Sequence, residues 1–344
     1  MSAIGRRVRA VAQYGVSLAL MGAFLYWAFQ EVDLQEMGAS LRGMSLFWTS
    51  MLALTALVSL SLRAWRWVIL MRPFAPQVTV RDATLALAIC YAANVAVPRS
   101  GEALRAVSLK WTRGAQISAT LATVVVERIL DLVWLVFLFG LAFVLLRGRL
   151  AETFPWLLPV SAATLAAGLL ALVLLAVVSL RRERAARWIG ARVAHLWPRA
   201  APRAEALMHT FLSGLTALHT PAAYAQILVS SALLNAAYVA ITFEGFLAFG
   251  LPAAYGVGVG AALVIMVVSS VGVIFPTPGA VGSFHAFFSK GLVHLYGVEA
   301  GAALASATAV HAVGTLTYAA LGVPALLWQR RRATAPTVAH GGRA

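Results

Sequence analysis

The stretch NVAVPRSGEALR, residues 94–105, sets Asn94, Arg99, Glu102 and Arg105 around a single proline, Pro98. Proline has no backbone donor and its ring clashes with the preceding turn, so an apolar helix must stop near Val97. A second helix can begin at Ser100, close to Gly101, and its first amides then face any anion placed there. Arg99 and Arg105 add guanidinium forks that match phosphate geometry. Glu102 lies three residues before Arg105, on one helix face, and is placed to hold it. The chemistry this offers is capture of an anionic headgroup. The plainer reading is a basic cluster at a membrane edge, and Asn94 and Glu102 beside the break favour the first.

Two further groups invite the same question. ERILDL places Glu127 and Asp131 four residues apart in the middle of an apolar segment, with Arg128 three residues before Asp131 and able to pair with it. Charges inside a membrane helix are costly unless paired or solvated, which marks them as functional candidates, although a self-neutral cluster could also pin helices together. PTPGAVGSFHAFFSK carries Pro276, Pro278, Gly279 and Gly282, which permit a sharp break and close backbone approach. His285 and Lys290 follow. His285 could titrate near neutral pH or be a satisfied interior histidine; His311 is the weaker candidate of the two. Glu244, near the end of a later span, is open to either reading. Arg63 and Arg66 in LRAWRW are expected to snorkel to an interface beside their tryptophans.

No G-x-S-x-G, H-E-x-x-H or Walker-type loop is present, and neither Cys90 nor any serine has a base at useful spacing. The expectation is a protein that is not an enzyme, with no catalytic residue, no cofactor and no metal site. A lone cysteine gives no disulfide framework.

The elements that must position these residues are apolar helices. Hydrophobic residues make up 61% of the chain and charged ones 11%, with mean hydropathy +0.84; a soluble domain carries about 25% charged residues. The expected fold is an all-α polytopic membrane protein, a single membrane domain over 1–344. Six segments are long enough to span at the ~20 residues a bilayer needs: 11–30, 46–70, 116–146, 157–180, 221–249 and 301–328. Two more, 83–110 and 253–297, are broken by proline and glycine. The arm before Pro98 is too short to cross and reads as a re-entrant hairpin; the second stretch is expected to have longer arms, as a hairpin or two full spans.

Net charge is +15, but no nucleic-acid motif accompanies it. With the N-terminus inside, 22 of the 27 Lys and Arg fall on 1–10, 63–82, 99–113, 181–220 and 329–344, as cytoplasmic stretches require. The N-terminal apolar stretch lacks a small-residue cleavage site and reads as an uncleaved anchor. This arrangement sends the two broken stretches in from opposite sides. Each also ends a helix with Pro-x-x-Gly, at 98–101 and 276–279. Opposite entry with a shared break is the design of an inverted-repeat transporter. The halves would be about 1–180 and 221–328, joined by an amphipathic cytoplasmic linker, 181–220, and followed by a basic tail, 329–344. Proline and glycine are also simply common in membrane helices.

NVAVPRSGEALR, ERILDL and PTPGAVGSFHAFFSKGLVHLYGV, in that order, resemble the flippase-like membrane domain family, the transmembrane region of lysylphosphatidylglycerol synthases. The resemblance covers nearly the whole chain. It places Asn94, Pro98, Arg99, Gly101, Glu102, Arg105, Glu127, Arg128, Asp131, Pro276, Pro278, Gly279, Gly282 and His285 on family motif positions. Ala280 and His285 stand where many members carry a glycine and a glutamate, so no mechanism needing a carboxylate there is implied. The aminoacyl-transfer domain of the synthases follows their membrane region; none follows here, so lysyl-lipid synthesis is not expected of this chain. The expected function is translocation of an anionic phospholipid or polyprenyl-phosphate lipid between leaflets of the inner (plasma) membrane. Alternatives are a small-solute secondary transporter, or a non-transporting subunit presenting lipid to a separate membrane-bound transferase.

Overall fold

A computed structural model describes residues 3–145 and 221–334, with isolated positions between 159 and 192. Apart from those positions, the expected span 157–180, the linker 181–220 and most of the tail lie outside the described residues. Among the described residues every regular element is helical. The helices are α1 (Ala3–Phe29), α2 (Leu34–Arg42), α3 (Leu46–Met71), α4 (Val80–Ala96), α5 (Gly101–Arg113), α6 (Ile117–Leu145), α7 (Pro221–Ala248), α8 (Leu251–Tyr255), α9 (Val259–Ile274), α10 (Ser283–Tyr296) and α11 (Ala300–Thr334).

Three stretches, Leu46–Met71, Pro221–Ala248 and Ala300–Arg331, are long and apolar enough to cross a bilayer. Tyr14–Phe29 with Leu34–Arg42 makes a fourth if that pair, bent by 87°, counts as one span. Helix α6 has 29 residues, ~44 Å at 1.5 Å per residue, and carries Glu127, Arg128 and Asp131 in its middle.

Local chemistry sets the helix ends. Thr79 and Asp82 close a capping box at the start of α4, with Asp82 N to Thr79 Oγ1 at 3.2 Å and Thr79 N to Asp82 Oδ2 at 2.9 Å. Helices α5 and α10 stop at left-handed glycines, Gly114 and Gly297. The second broken stretch differs from expectation. Its arms, α9 and α10, have 16 and 14 residues, against 17 and 13 for α4 and α5. The expected extra length is taken up by α8 and by Gly256, whose φ of +68° ends α8 before Val259 begins the arm. None of these four arms reaches the ~30 Å hydrocarbon thickness as straight helix.

Each hairpin closes on a glycine. A Cβ on Gly101 would lie 2.1 Å from the Cys90 carbonyl oxygen, and one on Gly272 would lie 2.6 Å from that of Ser283. Gly322 likewise lets α11 meet the backbone of α4 at Ala88, the close approach that small residues give membrane helices. The two breaks meet one another: a Cβ on Gly279 would sit 3.5 Å from Val95 Cα. Helix α1 runs past both tips. Tyr14 Oη donates to the Ala96 carbonyl at 3.1 Å, and Gly282 packs on the backbone of Met21 and Leu25.

Candidate functional site

The first break has the predicted form: α4 ends at Ala96, with Val97 as C-cap, and α5 starts at Gly101. Arg99 takes φ +63°, a left-handed conformation uncommon outside glycine. Asn94 is a brace across the break, its Oδ1 accepting from Gly101 N at 2.8 Å. That amide of α5 is therefore already occupied and does not wait for an anion. In the second break the left-handed residues are Gly279 and Ala280, so Pro278–Gly279 repeats Pro98–Arg99. Pro278 is buried and Pro276 exposed.

Beside the first break lies a charge network on three helices. Glu127 and Asp131, one turn apart on α6, face Arg63 and Arg66 on α3 and Arg105 on α5. Arg105 Nη1 is 2.8 Å from Glu127 Oε2. Arg63 Nη2 is 2.6 Å from Asp131 Oδ2, and its Nε 3.4 Å from Glu127 Oε1. Arg66 Nη2 bonds Asp131 Oδ1 and lies 3.7 Å from Glu127 Oε1. Helix α7 completes the shell, with Tyr238 Oη 3.0 Å from Arg63 Nη1 and Ser231 Oγ 3.3 Å from Arg66 Nη1. The Arg105 guanidinium stacks over Trp67 at 4.6 Å, and Trp67 Nε1 donates to Thr123 Oγ1 at 2.9 Å.

Two expected contacts are corrected. Arg63 and Arg66 do not snorkel: they are 6% and 0% exposed, because two carboxylates await them on the neighbouring helix. Glu102 does not hold Arg105; it bonds Arg128 Nη2 at 3.2 Å, and Arg105 turns inward to Glu127. The reason is burial, since a fully enclosed Glu127 that lost its nearest cation would be costlier than a partly exposed Glu102. Arg128 also lies 3.7 Å from Asp131, as its spacing suggested.

The network is graded. Arg128 is 53% exposed, Asp131 27% and Glu102 26%, whereas Glu127 is fully buried. Four arginines meet three carboxylates, which leaves one positive charge without a counter-charge. Arg105 has the most donors to spare: its Nε and Nη2 are buried and make no hydrogen bond, as is also true of Arg66 Nε. A guanidinium held on one side by Glu127, with its remaining donors unused, has the chemistry to take an oxyanion.

The remaining candidates lie outside the network, each with partners of its own. His285 is 8% exposed, its Nδ1 without a hydrogen bond and its ring 4.9 Å from that of His311. His311 Nε2 is 2.8 Å from the Gly279 carbonyl oxygen, which ties α11 to the second break. Lys290, 5% exposed, reaches away to Glu31 and the Gln30 carbonyl, each at 3.1 Å. Glu244 accepts from Thr55 Oγ1 at 2.8 Å. Among the described residues no group of three or more His, Cys, Asp or Glu could hold a metal. If the His285–His311 pair takes up a proton during a working cycle, His285→Gln should flatten the pH dependence of activity. An unchanged profile assigns His285 to packing.

Apolar spanning helices, two broken hairpins meeting tip to tip and an internal arginine–carboxylate network define a polytopic helical membrane protein. The family model described as the lysylphosphatidylglycerol synthase TM region matches residues 14–322. The chain belongs to that family. No curated protein and no solved structure matches it.

Proposed function

We propose that this protein moves an anionic lipid, a phospholipid or a polyprenyl-phosphate lipid, between leaflets, without enzymatic chemistry of its own. The observation that carries the reading is the pair of buried, unbonded donors on Arg105, in a network with one arginine more than it has carboxylates, beside a helix break that bilayer lipid alone would not tolerate. A lipid phosphate supplies the missing negative charge. An apolar cleft of about 410 Å³ between α6, α7 and α9 supports lipid over a small solute. Trp134, Leu138, Val239, Phe243 and Leu263 line it, suited to acyl chain, and Asn235 lies one turn before the Tyr238 that holds Arg63.

In this reading α4–α5 and α9–α10 are re-entrant arms of two inverted repeats, their touching tips form the gate, and both termini face the cytoplasm of the inner membrane. Arg63, Arg66 and Arg105 serve the site, so they no longer count toward orientation; 19 of the 27 basic residues still fall on the proposed cytoplasmic stretches. In a Cys90→Ala background, a cysteine at Lys110 should be labelled from inside and one at Glu299 from outside. Labelling of both from one face removes the inverted-repeat arrangement.

Function itself is tested in proteoliposomes with fluorescent lipid and dithionite. The full chain should render inner-leaflet anionic lipid accessible, and do so faster than it renders zwitterionic lipid accessible. No transfer above protein-free vesicles points to a subunit that presents lipid to a transferase. Uptake of a water-soluble anion without lipid transfer points to a solute carrier.

A further inference from the structure

Away from the arginine network, α4, α5 and α11 enclose a groove of about 850 Å³. Leu85, Leu321 and Ala325 make its lining apolar, and Trp111 and Trp328, 43% and 49% exposed, stand along it. Arg81 and Arg113 bring two cations. The acid among them, Asp82, is already engaged: it receives Thr79 N and Oγ1 at 2.9 and 2.6 Å, and both prongs of Arg113 at 2.8 and 3.2 Å. Burial would raise its carboxyl, but the bonds from Thr79 and Arg113 hold it below the ordinary carboxylate value, so it stays ionised. The lining therefore keeps one positive charge in excess. It rests on Arg81, an exposed side chain with no partner among the described residues.

We propose that this groove is a second lipid site, binding an anionic phospholipid with its phosphate on Arg81 and Arg113 and its acyl chains along Leu85, Leu321 and Ala325. Tryptophans beside arginines at the ends of membrane helices are the composition of a headgroup-level surface. A free anion would gain nothing from the apolar lining, and a zwitterionic lipid would leave the extra charge unmatched. The groove is distinct from the network but fastened to it. Gln329 lines the groove and its Oε1 accepts from Ser108 Oγ at 2.7 Å, one turn beyond Arg105 on α5. The site does not depend on the translocase reading: lipid can bind here whether or not the protein transports it.

The test uses the full chain in detergent, titrated with dioleoyl-phosphatidylglycerol or dioleoyl-phosphatidylcholine and followed by native mass spectrometry. The first phosphatidylglycerol should bind more tightly than phosphatidylcholine. Arg81→Gln should weaken it about tenfold, the worth of one charge-assisted contact to phosphate. Leu321→Trp, at a partly exposed position, should block the groove without touching charge and reduce binding of both lipids. Each variant is compared only if it elutes as a single species like the wild type. Equal affinity for the two lipids, or phosphatidylglycerol affinity unchanged by both substitutions, overturns the proposal. Displacement of the lipid by millimolar inorganic phosphate overturns it too, by showing a simple anion site.

Discussion

Glu127→Gln should destabilise the protein more than loss of any other single carboxylate, by about 3–5 kcal/mol, the usual result of removing one partner from a buried ion pair. Glu127 is fully buried and has three arginines within 3.7 Å. The amide keeps the shape of the side chain, so the loss is one of charge. Arg63 and Arg66 would then keep Asp131 alone, and Arg105 would be buried without a carboxylate partner. Asp131→Asn should cost less, because Asp131 is 27% exposed and Arg128 stands beside it. Chemical or thermal unfolding in detergent measures both. A double variant, Glu127→Gln with Arg105→Gln, removes one charge of each sign and should fall short of the summed single losses by at least ~0.5 kcal/mol. Strict additivity would mean that the two side chains do not act on one another, and a larger loss for Asp131→Asn would move the centre of the network to that residue.

That network also shows what the amino-acid sequence made legible. ERILDL stood out because three charges interrupt an apolar run, and the structure places two of them at the centre. Arg63 and Arg66 carried the same signal. They lie three residues apart within the apolar segment 46–70, so they share a helix face, as Glu127 and Asp131 do. Reading them as snorkelling followed from their tryptophan neighbours and their position near a helix end. Matching two arginines on one face with two carboxylates on another would have found the pairing. Which helix faces which is not written in either segment alone, and it decides the outcome: α6 lies against both α3 and α5. Glu102 and Arg105 illustrate the converse. Their i, i+3 spacing permits a contact, but a buried Glu127 has the stronger claim on Arg105. The first break was legible to within a residue, since proline stops a helix wherever it falls. Its brace was not, because Asn94 Oδ1 reaches Gly101 N only once the chain has turned. The arms of the second hairpin were read as too long because Gly256, Gly258 and Gly260 look alike in sequence, while only the first takes a left-handed turn that ends a helix.

Arg105→Lys separates the two roles that Arg105 can have, and it should slow lipid transfer about tenfold or more while leaving most of the stability in place. The structure holds Arg105 through one nitrogen: Nη1 meets Glu127 at 2.8 Å, and Nε and Nη2 have no hydrogen bond. Lysine can still send its ammonium to Glu127, so the buried carboxylate keeps a counter-charge. What lysine lacks is the rest of the planar fork. If those idle donors receive the lipid phosphate, the variant loses a charge-assisted contact worth about 1.5–3 kcal/mol, and each 1.4 kcal/mol corresponds to roughly a factor of ten in rate. Arg105→Ala should lose both functions, transfer and stability together, since it also strips Glu127 of its nearest partner. Dithionite-monitored transfer and unfolding in detergent, run on the same preparations, keep the two apart. Wild-type transfer in Arg105→Lys would mean that charge alone suffices and that the unbonded nitrogens have no role. Parallel loss of transfer and stability in that variant would make Arg105 a structural counter-charge for Glu127, and the headgroup would then have to be sought at Arg99 and Arg128, the exposed arginines nearest the break.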